Sequence, residues 1–242
     1  MNTFQLVKYD IKKTFKSLWN YIGILFIFIV ISGIVYSFLQ TKGEASSEQI
    51  IRITAWIFSV QGLIVLIKVL TRDISQNTLQ LFLNKSTNRN KYLIGKIFSI
   101  LFVIILFSFI VTIYTLAVQL LTNGDHLKIE TFLHFLFIYF LYFLIFGLTL
   151  FFITIYTQSQ SLIFTLGLFI ILIIPILNTL VPLVPIYGEN ITNILNYIPF
   201  SYLTTKLYQG DFNLSAWQIL ISVILLFLLL FTNYIMINKK DV

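Results

Sequence analysis

The sequence predicts an all-α, polytopic membrane protein with six transmembrane helices, and three observations carry that reading. Apolar residues make up 58% of 242 residues and charged residues only 10%, against roughly 45–50% and 25% in ordinary globular chains. The apolar residues gather into six runs, at about 21–39, 50–70, 97–121, 132–156, 161–181 and 214–237, each near the roughly 20 residues that a helix needs to cross a bilayer. The ionisable residues lie almost entirely between these runs. Backbone groups in lipid must be satisfied within their own segment, so the runs are helices rather than strands.

Ahead of the first run, Phe4, Val7, Ile11, Phe15 and Leu18 recur every three or four residues, and Lys8, Lys12, Lys13 and Lys16 fill the remaining arc. That pattern predicts a basic amphipathic helix over residues 1–18, lying in the membrane interface. It serves as an anchor, as a docking element for a partner, or as both. The first run is too long for a signal-peptide core and lacks a small-residue cleavage site behind it, so it is read as retained. The second has a short core at 55–69 and extends back toward Ile50, which places Arg52 near the headgroups.

Between the second and third runs lies TRDISQNTLQLFLNKSTNRNKYLIGK, residues 71–96, a polar and basic insert. Ile74, Leu79, Leu81, Phe82 and Leu83, set among Gln76, Asn77 and Gln80, predict a short helix lying flat against the membrane. Residues 85–90 predict a polar turn. The third, fourth and sixth runs are plain spans with Trp or Tyr near several ends. A tight turn, Thr157-Gln158-Ser159-Gln160, joins the fourth to the fifth. The fifth run breaks at Pro175 and again at Pro182 and Pro185, where proline removes a backbone donor. Residues 182–213 are too apolar for a solvent loop and too interrupted to span, which predicts re-entrant or interfacial helices.

Charge sets the orientation. With six spans both termini share one side, where Lys8, Lys12, Lys13, Lys16, Lys68, Arg72, Lys85, Arg89, Lys91, Lys96, Lys239 and Lys240 face only Asp10, Asp73 and Asp241. The other side carries Lys42, Arg52, Lys128 and Lys206 with Glu44, Glu48, Asp125, Glu130, Glu189 and Asp211. The positive-inside rule makes both termini and residues 71–96 cytoplasmic, and residues 182–213 extracellular. Thirteen lysines to three arginines, with abundant Ile, Phe and Asn, fit the AT-rich coding of a low-GC bacterium and hence a bacterial plasma membrane.

Several chemistries have no residues to perform them. The chain has no cysteine, so thiol catalysis and thiolate metal sites are excluded. No GxxxxGK[ST] phosphate loop occurs, so this chain is not expected to hydrolyse nucleotide itself. His126 and His134, with Asp125 and Glu130, read as a solvated loop rather than a metal site. No charged residue lies at mid-depth in a span, which counts against ion-coupled transport. Gln61, Tyr114, Tyr139, Tyr142, Thr165 and Asn178 are candidates for polar lining within the spans. Gln61, Tyr139, Tyr142 and Asn178 are the candidates for lining a substrate path, with interhelical hydrogen bonding as the competing role.

The order of residues in the insert resembles the loop after the second span in permeases of the ABC-2 type, the six-span exporter subunits. Asp73 is followed by Asn77-Thr78, by Leu79, Leu81 and Leu83, by Ser86-Thr87-Asn88-Arg89, and by Lys91 and Gly95-Lys96. Tyr197-Ile198-Pro199-Phe200-Ser201-Tyr202 is similar to the proline-aromatic stretch before that family's last span. The chain departs from the pattern in having Asn77 where a glycine is usual and no proline before Arg89. Asn tolerates a left-handed backbone better than most residues, so the turn is expected to survive.

The resemblance covers the whole chain in topology and implies a permease working with a separate cytosolic ABC ATPase subunit. It implies a second permease copy as well, giving a homodimer, or a heterodimer with a related permease. On that carry-over the insert is the coupling helix. Arg72, Asp73, Gln76, Thr78, Leu79 and Phe82 would touch the ATPase, Lys12, Lys13 and Lys16 would flank it, and residues 157–160 would add a smaller contact. This chain would bind no cofactor, with ATP and Mg on the ATPase. The aromatic fraction of 17% suits an amphipathic or lipophilic cargo. The family's phenol-soluble modulin exporter and bacteriocin-immunity branches imply antimicrobial or cytolytic peptide. Membrane lipid is the remaining expected partner, and nucleic acid is not one. A stand-alone membrane immunity or toxin-binding protein, without transport, is the alternative reading.

Overall fold

A computed structural model describes residues 3–42, 46–84, 86–122, 126–184 and 188–239. Glu44, Lys85, Asp125, Pro185, Lys240 and Asp241, used in the charge count and the turns above, lie outside the described residues. Among those described, every regular element is helical. In chain order they are α1 (Thr3–Phe15), α2 (Leu18–Lys42), α3 (Ser47–Ser75), α4 (Leu79–Leu83), α5 (Ser86–Thr122) and α6 (Ile129–Thr157). Then follow α7 (Gln160–Leu168), a π-helical turn (Phe169–Ile173), α8 (Ile174–Leu180), a 3-10 turn (Val181–Leu183), α9 (Gly188–Leu195), α10 (Pro199–Gln209) and α11 (Ala216–Lys239).

Five of these helices, α2, α3, α5, α6 and α11, are long and apolar enough to cross a membrane. The expected run at 161–181 is helical but broken into α7, the π turn, α8 and the 3-10 turn, so no single helix of spanning length forms there. Pro175 supplies the reason. Its ring clashes with the carbonyl four residues earlier and it donates no N–H, so the preceding turn widens to the π form. Pro182 likewise sits in the 3-10 turn.

α3 and α6 form the core of the bundle, with 67% and 61% of their most apolar windows buried, whereas α2 and α11 bury only 17% each and lie at the periphery. α6 contributes a ladder of rings: Phe135 against Tyr139, Tyr139 against Phe143 and Tyr142 against Phe146, at centroid distances of 5.0, 4.8 and 4.6 Å. Between helices, Phe58 of α3 meets Phe28 of α2 at 5.3 Å and Phe146 of α6 meets Phe200 of α10 at 5.2 Å. In lipid such close van der Waals packing, rather than exclusion of water, holds helices together. Asn233 adds a polar tie from α11, donating to the Leu148 carbonyl of α6 at 3.0 Å.

α1 forms where the periodicity places it, but it docks by a different face. Leu6, Asp10 and Thr14, one turn apart on one side, are buried, while Phe4, Phe15 and Leu18 stay exposed. Close approach to α5 is possible because residue 95 is glycine: a Cβ there would lie 2.4 Å from a Leu6 methyl carbon. The insert also departs from expectation. Ser86 to Asn90 belongs to α5 rather than to a turn, and α3 runs on to Ser75, so the two long helices reach well past the apolar runs. Arg89 explains the early start, because from α5 it donates to the Leu83 carbonyl (2.6 Å) and the Asn238 carbonyl (2.7 Å).

α1, α4, the start of α5 and the end of α11 therefore meet at one end of the bundle, the basic end. α9 and α10 cap the far end, as helices expected for the segment before the last run. Asn178 of α8 donates to Ser201 Oγ (2.7 Å) and Thr205 Oγ1 (2.6 Å) of α10. At the close of α10 Gly210 turns left-handed (φ 68°) directly beneath the Arg52 side chain, a position that a Cβ would invade at 2.2 Å. The following turn is closed by Lys206, 2.5 Å from Asp211 Oδ2 and bonded to the Asn213 carbonyl.

Burial acts to raise the Asp211 pKa, but the Lys206 hydrogen bond, the Asn213 N–H and the charges of Lys206 and Arg52 prevail and hold it below the usual carboxylate range. A lowered carboxyl pKa stabilises the fold above the unfolded-state value, and that contribution is lost as pH falls through the folded-state value. Wild type is thus expected to lose a small increment of thermal stability between about pH 4 and the lowered value. Asp211→Asn should lose that increment at every pH and flatten this part of the profile.

Candidate functional site

The basic end is organised by charges that the sequence scatters over nearly ninety positions. Asp10 comes from α1, Arg72 and Asp73 from the last turn of α3, and Tyr92, Lys96 and Ser99 from one face of α5. Lys96 is fully buried, with Nζ 3.1 Å from Asp10 Oδ2 and 2.7 Å from Asp73 Oδ2. It also donates to the Val69 carbonyl at 3.0 Å. Arg72 reaches Asp10 Oδ1 at 2.7 Å. Ser99 Oγ donates to Asp10 Oδ2 at 2.9 Å, and the Tyr92 hydroxyl to Asp73 Oδ2 at 2.8 Å. Two carboxylates thus meet two cations, and the knot is close to neutral. It is extended by Thr14, whose carbonyl accepts from Asn20 Nδ2 at 3.1 Å, and by Lys68, which donates to Asn20 Oδ1 at 3.1 Å.

Above the knot sits α4. α3 ends because Asn77 enters the left-handed region (φ 54°), letting the Thr78 N–H bond the Asp73 carbonyl at 2.9 Å. This is the turn that tolerance of Asn at that position predicted. Removing the side-chain help that Asn gives in this region should cost about 1 kcal/mol in Asn77→Ala, whereas Asn77→Gly should stay within about 0.5 kcal/mol of wild type. Thermal unfolding of the purified variants checks the pair.

The five residues of α4 then split by direction. Leu79 and Leu83 are buried, and Phe82 stacks on Tyr92 (5.3 Å, 14° between planes). Leu81 points away, 66% exposed. A cleft of about 310 Å³ on one flank runs from Leu6 and Tyr9 of α1 to Gln76, Thr78 and Phe82. One of about 280 Å³ on the other runs from Asn77 and Gln80 to Gln158. Gln158, in the tight turn after α6, is the second non-glycine residue with positive φ (52°). The left-handed residues Asn77 and Gln158 therefore line one cleft.

The predicted site residues are thus brought together, though not all in the expected posture. Gln76 accepts from the Tyr9 hydroxyl (3.0 Å), Thr78 begins α4, and Phe82 is half-buried. Arg72, Asp73 and Leu79 face inward, with Asp73 2% and Leu79 4% exposed. Lys12, Lys13 and Lys16 are exposed around α1, with Lys13 Nζ 5.7 Å above the Tyr9 ring. Among the path candidates, Gln61, Tyr139 and Tyr142 are buried in the closed core, and Asn178 is instead held by α10. The Tyr139 and Tyr142 hydroxyls have no hydrogen-bond partner among the described residues.

Sequence reading missed Asp10, Tyr92, Lys96, Ser99 and the outward Leu81. The available signal was that the basic side carries so few acids; two of its three, Asp10 and Asp73, are in the knot. His126 bonds Gln119 (2.8 Å), and no group of metal-binding side chains occurs among the described residues.

Long apolar helices around a closed core, with polar and charged groups gathered at the ends, define a multi-pass α-helical membrane protein. The chain belongs to a family described as "Protein of unknown function (DUF2705)", whose model matches residues 21–242. No curated protein matches it.

Proposed function

We propose that the chain is the permease subunit of an ATP-driven ABC exporter that moves amphipathic or lipophilic cargo, antimicrobial or cytolytic peptides above all, out of a bacterial cell. The observation that carries this reading is α4: a short helix held rigidly on a buried charge knot, flanked by clefts and presenting Leu81 outward. A helix so mounted transmits a push from a cytosolic ATPase to α1, α3 and α5 together.

Six crossings fit the same reading. α2 starts and α11 ends at the basic end, which supports an even number of traverses. Residues 160–183 supply the remaining traverse, from the Gln158 turn to the Asn178 contacts with α10. Both termini are then cytoplasmic and α9 and α10 extracellular.

The test is a pull-down from detergent-solubilised native membranes with wild type and Leu81→Asp. Recovery of an ATPase with wild type, and its loss with the variant at equal protein level, is the expected result. A wild-type eluate free of ATP hydrolysis, under conditions that keep known complexes intact, would overturn the reading. The alternative, a stand-alone immunity or toxin-binding protein, draws on a polar cleft of about 990 Å³ between α9, α10 and α11. It requires protection against the toxin that persists in cells lacking every candidate ATPase.

A further inference from the structure

We propose that the groove between α2, α3 and α10 is a binding site for one anionic phospholipid of the membrane, with Arg52 taking its phosphate. The groove encloses about 510 Å³ and lies at the end of the bundle away from α4. Ile34 and Phe38 of α2 and Ile53 and Ile57 of α3 make its wall, so an acyl chain meets only hydrocarbon there. That wall continues into the exposed apolar surface of α2, from which a lipid enters without passing through water.

Charge selects the headgroup. Arg52 stands at the mouth with 47% of its side chain exposed and makes no hydrogen bond among the described residues. Its one ion pair, to Glu48, is long at 3.9 Å, and exposed pairs of that kind are worth little. Glu48 also accepts from Thr131 (3.3 Å) and lies 4.0 Å from Lys128, while Asp211 is engaged by Lys206. The guanidinium fork is therefore held in place, and although its charge acts on Asp211 and Glu48 its donors make no hydrogen bond among the described residues. Gly210 packing under its stem fixes its position, and a planar fork of five donors matches a phosphate oxygen pair.

A second donor lies deeper. The Trp56 indole N–H is buried in the groove wall, where the ring packs edge-on against Tyr208 at 5.1 Å, and it has no acceptor among the described residues. Trp56 lies one helical turn from Arg52 on α3. One cation above an apolar wall, with the Gln49 and Gln209 amides beside it at the mouth, is complementary to a phospholipid headgroup and acyl chain rather than to a peptide, which would bring a row of backbone donors and acceptors. Basic sites between spans are a recurrent form of lipid recognition. This inference rests on the membrane-spanning build and is independent of the exporter reading.

The full-length protein, purified in detergent, is titrated with phosphatidylglycerol and with phosphatidylcholine of the same acyl chains, and bound lipid is counted by native mass spectrometry. Wild type should retain phosphatidylglycerol about tenfold more tightly, equivalent to about 1.4 kcal/mol. Arg52→Gln should bring the two lipids within about twofold, and Trp56→Phe should weaken both while leaving the preference. Equal retention by wild type overturns the proposal without recourse to any variant. So does a preference that survives Arg52→Gln, or a cross-link at Phe38 showing that a second copy or a cargo peptide fills the groove.

Discussion

Replacing Lys96 with methionine is expected to cost the protein about 3–5 kcal/mol, the largest effect of any single substitution in the basic end. The side chain is fully buried and its ammonium lies within 3.1 Å of both Asp10 and Asp73. Methionine fills much the same volume, so the loss is electrostatic: two carboxylates are left facing one another with only Arg72 to offset them. The measurement is the thermal midpoint of the purified protein. A cycle with Asp73→Asn separates the pair energy from general damage, since removing both charges should restore part of what either removal costs. Full replacement of a buried ion network by apolar groups is often neutral or stabilising. What the knot supplies is therefore geometry more than stability. Unchanged stability in Lys96→Met would show that the cluster does not hold α1, α3 and α5 in register.

Phe82→Ala is expected to uncouple the protein while leaving most of its stability. The ring is half-buried, so its loss should cost less than the about 3–5 kcal/mol of a fully buried phenylalanine. It is, however, the aromatic anchor of a helix of five residues, far too short to persist without tertiary support. With the stack on Tyr92 gone, α4 loses its fixed angle, and ATPase recovery should fall at least about tenfold, a change of about 1.4 kcal/mol in affinity. On the proposed reading Leu81→Asp should produce the same loss at unaltered thermal stability, because Leu81 is exposed rather than packed in the core. Asp73→Ala would be a poor probe of coupling, since its buried carboxylate serves Lys96 and Tyr92 and its removal disturbs the knot itself. Normal ATPase recovery in both Phe82→Ala and Leu81→Asp would move the coupling element away from α4.

Much of the helical build was legible in the chain. The apolar runs at 21–39, 50–70, 97–121 and 132–156 are each contained in one long helix, and the run at 214–237 enters its helix at Ala216. Pro175 and Pro182 coincide with the departures from α-helix in the fifth run, since a missing N–H has a local consequence that needs no neighbour. Asn77 gave a left-handed turn for an equally local reason. The length of α5 was not legible. Composition marks where hydrocarbon begins, whereas the helix begins where Arg89 finds acceptors on α4 and on α11, the latter 149 positions away in the chain.

The candidate site was half legible. Spacing drew attention to residues 72–82, and they do form one small structure, but it could not give their directions. Leu79, Leu81 and Leu83 alternate between inside and outside on a helix too short to have a reliable period. α1 makes the same point. Its apolar stripe identified a helix, yet the face that packs carries Leu6, Asp10 and Thr14.

By itself, then, the sequence determined that this is a helical membrane protein, where its long helices lie and which loop is chemically unusual. Those properties follow from hydrocarbon length, proline and net charge, all of which act within a segment. Only the tertiary structure decided that Asp10, Arg72, Asp73 and Lys96 neutralise one another and that Leu81 is the leucine of α4 left exposed. A buried charge is tolerable only beside its counter-charge, and which charges become neighbours is set by the packing of α1, α3 and α5.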